Sequence, residues 1–234
     1  MPSILEDPNS TTPPPPLPTK SLTPLLKPIH TTLKNGQTAT LYPITNGPSS
    51  LPPFLLKFLH AEFSAEIERG CTYPMEEVME AERFGEYWFG LFGVVAVLDS
   101  EAEKESEGLT EAAERDWERE CLGTFYIKPN YPGRCSHVCN AGFITTSAAR
   151  NRGVGMVMGR AYLQYAPLLG YKYSVFNLVF ENNTASVKIW ERLGFSVIGR
   201  VPGCARLANS EEFVDALIIG RDLTGGEGGK GEDV

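Results

Sequence analysis

The segment Arg150-Asn-Arg-Gly-Val-Gly155 decides the fold, because it joins a predicted strand, Ser136–Thr145, to a predicted helix, Gly153–Ala166. Its two glycines let the backbone approach a ligand closely. The first N–H groups of the helix have no partner inside the helix, and the helix dipole adds positive potential there. Arg150 and Arg152 can add charge-assisted hydrogen bonds. The segment therefore predicts an anion site suited to a pyrophosphate.

The alternative is that this segment is only a structural turn, since glycine-rich turns between a strand and a helix occur in many α/β proteins. The sequence lacks the Gly-Lys-Ser/Thr of a Walker loop and the Gly-x-Gly-x-x-Gly of a dinucleotide fold. A second motif, Asn183-Thr-Ala-Ser-Val-Lys-Ile-Trp-Glu-Arg-Leu-Gly-Phe195, directly follows the predicted strand Tyr173–Phe180. The functional interpretation of this segment therefore rests on the two motifs taken together.

Together the two motifs resemble the Gcn5-related N-acetyltransferase (GNAT) superfamily. The resemblance implies that the first motif holds the pyrophosphate of acetyl-CoA. It also implies that the two flanking parallel strands splay apart and that the pantetheine arm lies in the gap. The residues expected to bind acetyl-CoA are Phe143, Ile144, Thr145, Arg150, Asn151, Arg152, Gly153, Val154, Gly155, Asn183 and Ser186.

Further segments are similar to one fungal subfamily, the L-azetidine-2-carboxylate N-acetyltransferases. They are Leu122–Tyr131, Arg134–Phe143, Ala166–Phe180, Thr72-Tyr-Pro and Tyr87-Trp-Phe, and the resemblance extends over residues 70–222. It implies acetylation of cyclic imino acids and of glutamate-5-semialdehyde, the open form of pyrroline-5-carboxylate. It also implies detoxification of proline analogues, protection from oxidative stress, and a homodimer.

Strands that alternate with helices predict an α/β fold with a mixed sheet, and the family implies a mostly antiparallel sheet with a central splayed parallel pair flanked by helices. The predicted elements before the site are a hairpin at His30–Ile44, a helix from Ser50 to Gly70, a helix from Thr72 towards Arg83 and a buried strand at Tyr87–Leu98. Those around and after it are strands Cys121–Lys128, Phe195–Val201 and Phe213–Ile219 and a helix at Thr184–Arg192.

The composition divides the chain into a disordered proline-rich tail at 1–28, one domain at 29–223 and a glycine-rich tail at 224–234. Thirteen of the 18 prolines fall in residues 1–54. Residues 99–120 carry ten acidic residues against three basic ones, a net charge of −7. This insertion is either a solvated loop or exposed helix, or an acidic face that attracts cationic substrates.

Charge and hydropathy exclude several classes of protein. Lys and Arg total 21 and Asp and Glu total 29, so the net charge of −8 disfavours nucleic-acid binding. The longest apolar run, Tyr87–Leu98, is too short to cross a membrane. Residues 1–30 lack a signal-peptide pattern and contain no Arg, so we expect a cytoplasmic protein with reduced cysteines; a mitochondrial location is the alternative.

Acetyl transfer needs a neutral amine, a donor to the developing oxyanion and a departing thiolate. A backbone N–H near Phe143 or Ile144 can meet the oxyanion where the strands splay. The family often places a Glu on the strand before the loop and a Tyr near the sulfur. Here Ser136–Phe143 has no carboxylate, and Trp190 stands at the Tyr position. A thiol has a pKa of roughly 8.5, so it can depart without an acid.

Asparagines remain as the candidate catalytic residues. We assign Asn140 and Asn177 to the acceptor and to an ordered water that accepts its proton, with Phe143 as a further acceptor contact. Asn183 is assigned to the pantetheine and sulfur end, as the family implies. The alternative is that each Asn only satisfies backbone groups at a strand end.

His137 is the alternative general base, but strand alternation places it on the face opposite Asn140. Cys135, His137 and Cys139 share that opposite face, yet ligands at every second strand position suit tetrahedral zinc poorly. We therefore predict no metal. The predicted function is an acetyl-CoA-dependent N-acetyltransferase for a small-molecule amine. The alternatives are a polyamine, aminosugar or protein N-terminus as acceptor, or a non-catalytic acyl-CoA-binding module.

Overall fold

The computed structural model describes residues 26–99, 109, 115–208 and 210–225. Eight strands form one sheet in the order β1-β2-β3-β4-β5-β6-β8-β7. They are β1 (Ile29–Thr32), β2 (Thr38–Ile44), β3 (Gly93–Leu98), β4 (Cys121–Pro129), β5 (Val138–Thr145), β6 (Tyr173–Phe180), β7 (Ser196–Arg206) and β8 (Phe213–Asp222). The helices are α1 (Pro53–Arg69), α2 (Ala81–Phe89), α3 (Trp117–Glu120), α4 (Val154–Leu168) and α5 (Thr184–Arg192).

The parallel pair β5–β6 lies at the centre of this sheet, whose other neighbouring strands run antiparallel. The two parallel strands pair only at Val138 with Tyr173 and at Cys139 with Ser174. Beyond Cys139 they separate, which leaves a gap that opens towards the segment before α4. The predicted mixed sheet with a splayed parallel pair is confirmed.

Two cores cover the two faces of the sheet. Helices α4 and α5 bury Met158, Tyr162 and Trp190 against one face. Helices α1 and α2 bury Phe63 and Trp88 against the other face. Because side chains alternate along a strand, successive residues of β5 enter different cores. These faces are called the α4 side and the α1 side below.

The region between α1 and β3 differs from the prediction. The expected helix from Thr72 towards Arg83 is wrong, since the backbone from 71 to 80 is irregular, and α2 begins only at Ala81. The predicted strand Tyr87–Leu98 is too long, because its first residues belong to α2. Phe84 and Trp88, four residues apart, face the same core, and this helical spacing outweighs the β-propensity of the aromatic run.

Other local predictions agree with the structure. The hairpin pairs Ile29 with Leu41, and α5 spans the predicted residues Thr184–Arg192. Helix α1 ends at Gly70, which has a φ of 61°, but it begins at Pro53 with Pro52 rather than Ser50 as its N-cap. The sheet also continues further than expected in β7 and β8.

Several predicted features lie outside the described residues. They are the proline-rich residues 1–25, most of the acidic insertion (100–108 and 110–114) and residues 226–234 of the glycine-rich tail. The division into one domain and two tails therefore stays a prediction. Within the described ranges, no helix has the length and hydropathy needed to cross a bilayer.

Candidate active site

The backbone of β5 points alternately to its two neighbouring strands. Asn130 N–H donates to the carbonyl of Val138 at 2.7 Å, and Thr146 N–H donates to the carbonyl of Leu122 at 3.1 Å. The backbone N–H and C=O groups of the even-numbered residues of β5 therefore point towards β4. Lys172 N–H donates to the carbonyl of His137 at 2.9 Å, so the backbone groups of the odd-numbered residues point towards β6. Because β6 departs after Cys139, the polar backbone groups of residues 141, 143 and 145 face the gap.

This alternation decides which backbone N–H can meet an oxyanion. The N–H of Phe143 faces the gap, whereas that of Ile144 faces β4 and belongs to the ladder with Thr124. The prediction of Ile144 as a backbone donor is therefore wrong, because donors along a strand alternate in direction. The backbone of Thr145 also faces the gap, and its contact with acetyl-CoA stays a prediction.

Tyr73, which the sequence analysis did not select as a site residue, reaches this point from the irregular segment after α1. Its hydroxyl donates to the carbonyl of Phe143 at 3.0 Å. The N–H and C=O of one strand residue point the same way, so this bond also orients the Phe143 N–H. The only sequence signal for Tyr73 was the family-like Thr72-Tyr-Pro segment.

Three asparagines meet on the α1 side, at the start of the gap. Asn130 Oδ1 accepts from Asn140 Nδ2 at 2.8 Å and from Asn177 Nδ2 at 2.6 Å. Asn130 Nδ2 donates to Asn177 Oδ1 at 3.1 Å. Asn140 is fully buried, and within the described part of the chain its Oδ1 has no hydrogen-bond partner. The structure thus brings the predicted pair together and adds Asn130, which follows β4.

A cleft of about 720 Å³ lies between the end of α1 and the outer strands, and Leu178, the neighbour of Asn177 in β6, is one of its lining residues. Tyr73 and Pro74 line one wall, and Leu178 and Phe180 of β6 line the other. A register shift between Phe176 and Val179 interrupts the β6–β8 ladder where Asn177 and Leu178 lie. The irregular strand therefore joins the cleft to the asparagine cluster, and the cleft is the candidate acceptor site.

Phe143 contributes to the site through its backbone rather than its side chain. Its ring packs on the α4 side, with centroids 5.1 Å from Phe125 and 4.9 Å from Trp190. Asn140 faces the α1 side, so the two side chains lie on opposite faces of β5. The predicted contact of Phe143 with the acceptor is therefore limited to its backbone and stays a prediction.

The second motif forms an internally bonded helix start. Asn183 is the N-cap of α5, and its Oδ1 accepts from Ser186 N–H at 3.2 Å. Ser186 Oγ in turn accepts from Trp190 Nε1 at 3.1 Å. These bonds account for one polar atom of each residue, so the alternative of a structural role is realised for Asn183. Its contact with acetyl-CoA, like that of Ser186, stays a prediction.

The segment before α4 has the backbone expected of an anion site. Asn151 and Gly153 have φ values of 62° and 81°, in the left-handed region. Among the described residues no side chain caps α4, so the N–H groups of Val154 and Gly155 are left for a ligand. A Cβ at position 155 would approach Ile189 Cδ1 to 3.0 Å, so Gly155 also permits the close packing of α4 and α5.

The two arginines of this segment have different partners. Arg150 forms an ion pair with Glu66, a buried residue of α1 that also binds Arg69 (2.7 Å). Arg152 donates instead to the neutral Gln37 Oε1 at 2.6 Å. Carbon atoms of the Lys34 side chain would lie 3.5 Å from a Cβ at position 153, which places this lysine, which the sequence analysis missed, beside the same helix end.

The structure does not bring His137 to the site. His137 is exposed before β5 begins, and Cys135 lies exposed in the turn Gly133–Cys135. Burial raises the pKa of Cys139 to about 12, although its bond to the Tyr162 hydroxyl (3.1 Å) opposes this shift. The Cys139 thiol is therefore neutral at physiological pH. Across the described ranges, no group of three or more His, Cys, Asp or Glu residues could hold a metal ion.

The chain is similar to known acetyltransferases in sequence and in structure. A model of the acetyltransferase (GNAT) family matches residues 68–195, more than half of the 234 residues. N-acetyltransferase aca1 of Schizosaccharomyces pombe is 43% identical over 165 residues, 70% of this chain and 78% of aca1. A GCN5-related N-acetyltransferase from Kribbella flavida is 26% identical with a TM-score of 0.62, over 78% of this chain and 97% of its own.

A phosphinothricin acetyltransferase from Sinorhizobium meliloti, solved in complex with acetyl-CoA, has the same fold. Its TM-score is 0.58 at 14% identity, over 79% of this chain and 88% of its own. The family match spans the splayed strands, the segment before α4 and the three asparagines. With the identity to aca1, it shows that this chain belongs to the GNAT family of acetyltransferases.

Proposed function

We propose that the protein transfers the acetyl group of acetyl-CoA to the nitrogen of a small cyclic imino acid. The substrates would be azetidine-2-carboxylate, related proline analogues and glutamate-5-semialdehyde in equilibrium with pyrroline-5-carboxylate. This activity would detoxify proline analogues and limit oxidative stress. The observation that carries the proposal is the buried Asn140 Oδ1, a hydrogen-bond acceptor without a described protein partner beside the gap between β5 and β6.

The segment before α4 and the gap fit acetyl-CoA. The uncapped N–H groups of Val154 and Gly155 suit its pyrophosphate, and the backbone of Thr145, which faces the gap, suits its pantetheine amides. The bound group would supply an acetyl thioester. The S. meliloti acetyltransferase, which has this fold, holds the same compound.

The orientation of Asn140 follows from its neighbours. Asn130 Oδ1 can only accept, so the Nδ2 groups of Asn140 and Asn177 both turn towards it. Asn140 Oδ1 is thereby directed away from the cluster and is available to the single N–H of a neutral ring amine. A buried acceptor without a partner costs about 1–3 kcal/mol, which an amine N–H would offset.

The reaction needs one proton acceptor and one oxyanion donor from the site. As the amine nitrogen attacks it becomes positively charged, and the proton that it directed at Asn140 Oδ1 passes to an ordered water beside the asparagines, since an amide oxygen is too weak a base and β5 carries no carboxylate. The N–H of Phe143 meets the oxyanion. The indole N–H of Trp190 is bonded to Ser186, so the thiolate departs without a strong acid and takes its proton from water.

The proposed function is tested by thiol release from acetyl-CoA with a panel of acceptors. The panel contains azetidine-2-carboxylate, cis-4-hydroxyproline, proline, spermidine and glucosamine. We expect turnover of the cyclic imino acids only. Turnover of spermidine or glucosamine alone would overturn the proposed acceptor class. Absence of turnover on the whole panel, with acetyl-CoA still raising the melting temperature, would point to an acyl-CoA-binding module.

Tyr73→Phe should lower kcat about five- to tenfold with little change in KM for acetyl-CoA. The substitution removes the bond that orients the Phe143 backbone, worth about 1 kcal/mol, while the ring still packs on Phe63. Initial rates of thiol release give both constants. Tyr131→Phe, at an exposed tyrosine after β4, is the matched control. An unchanged kcat in Tyr73→Phe would show that Tyr73 does not position the oxyanion donor.

Arg152→Gln should weaken acetyl-CoA binding about tenfold, whereas Arg150→Gln should change Kd less than about twofold. Arg152 is held by a neutral partner and keeps its charge for phosphate, while Arg150 is paired with Glu66. Arg150→Gln should instead lower the free energy of unfolding by about 1 kcal/mol. Calorimetric titration and thermal unfolding separate the two effects. The reverse ranking of the Kd values would contradict this assignment.

A further inference from the structure

Lys128 is held above two tyrosine rings on the α1 side of the sheet. Its Nζ lies 3.8 Å from the ring centroid of Tyr87 in α2 and 4.1 Å from that of Tyr126 in β4. The two tyrosine hydroxyls are 3.3 Å apart, so a helix and a strand build the arrangement together. The mechanism described above does not use this lysine.

The arrangement lies next to Asn140. Lys128 is directly opposite Asn140 in the β4–β5 ladder, and side chains of directly opposed residues share a face of the sheet. Tyr126 is opposite Gly142, where a Cβ would lie only 2.5 Å from the ring. The missing side chain at position 142 therefore lets the Tyr126 ring lie over β5, and the ring supports the Lys128 ammonium on the sheet face that Asn140 shares.

The chemistry of this lysine is that of a fixed positive charge. The faces of the two tyrosine rings attract the ammonium group and hold it in place. An ammonium group suits a carboxylate. In a cyclic imino acid the carboxylate is on the carbon next to the ring nitrogen, so both groups are presented on one edge of the molecule.

We propose that Lys128 binds the carboxylate of the acceptor and selects amino and imino acids over acceptors without an anionic group. This inference rests on the proposed function, in which Asn140 receives the ring N–H. Asn140 and Lys128 then provide a two-point recognition of the ring nitrogen and the acid. Tyr87 and Tyr126 act as positioning residues for the ammonium.

The test compares azetidine-2-carboxylate with azetidine-2-carboxamide, which has the same ring and nearly the same shape but carries a neutral amide in place of the carboxylate. Binding of each compound to the enzyme saturated with CoA is measured by calorimetry, so the readout does not depend on turnover. The wild type should bind the acid at least about tenfold more tightly than the amide, the effect of one charge-assisted hydrogen bond. Lys128→Gln should lose this preference, because the substitution should weaken binding of the acid and leave binding of the amide unchanged.

Two further variants separate recognition from folding. Lys172→Gln, at an exposed lysine before β6, should retain the preference for the acid. Lys128→Arg keeps the charge and should retain part of the preference. A Lys128→Gln enzyme that melts like the wild type and still prefers the acid would overturn the inference.

The outcomes also distinguish this inference from the proposed function. If wild type acetylates the imino acids and Lys128→Gln keeps the preference for the acid, the inference fails and the function stands. If wild type binds the acid selectively through Lys128 but never acetylates it, the proposed reaction fails and the binding role stands. If wild type binds neither compound, both proposals fail.

Discussion

Replacement of Asn140 by alanine should lower kcat for azetidine-2-carboxylate by about 100-fold or more and leave the Kd for acetyl-CoA within about twofold. Asn140 Oδ1 is the buried atom assigned to the ring N–H, and a misplaced nucleophile loses the benefit of a fixed orientation. Removal of one preorganised hydrogen-bond group in an active site typically costs about 10²–10³ in kcat. Initial rates of thiol release give kcat, and calorimetric titration gives the Kd for acetyl-CoA.

Two companion variants make this experiment specific. Asn140→Asp keeps the shape but replaces the Nδ2 donor by an acceptor that faces Asn130 Oδ1, so it should also lose most activity. Asn182→Ala, at an exposed asparagine between β6 and α5, should behave like the wild type. Full kcat in Asn140→Ala would remove Asn140 from the mechanism and return it to a structural role at the strand end.

The parts of the site that could be predicted from the sequence are those whose structure is determined locally. Asn183 caps α5, and Gly153 takes the left-handed conformation at the start of α4. Both depend on neighbours within a few residues, so the patterns of their segments suffice. The splayed pair β5–β6 was implied only by the family resemblance, because the divergence after Cys139 and Ser174 depends on the packing of the whole sheet.

The parts that could not be predicted depend on long-range partners. Periodicity alone does not show that Phe143 rather than Ile144 faces the gap, because that choice requires the register with β4. Tyr73 belongs to an irregular segment, and its bond to Phe143 joins residues 70 positions apart. Asn130 follows the end of a strand, and its role appears only when β5 and β6 bring Asn140 and Asn177 to it.

Gly153→Val should weaken acetyl-CoA binding at least about tenfold. Gly153 has a φ of 81°, where a β-branched residue is strongly disfavoured, so the substitution must change the backbone at the N-terminus of α4. The uncapped N–H groups would then no longer converge on one anion, and their contribution to phosphate binding depends on that convergence. Kd is measured by calorimetric titration with acetyl-CoA and with CoA.

Gly133→Val separates this effect from general backbone strain. Gly133 also has a positive φ, 57°, and faces open space, but it lies in the turn before β5 and away from α4. Both variants should lose stability from the disfavoured conformation, and only Gly153→Val should lose affinity. If Gly153→Val bound acetyl-CoA as tightly as the wild type, the segment would be a structural turn, and the pyrophosphate site would have to lie elsewhere.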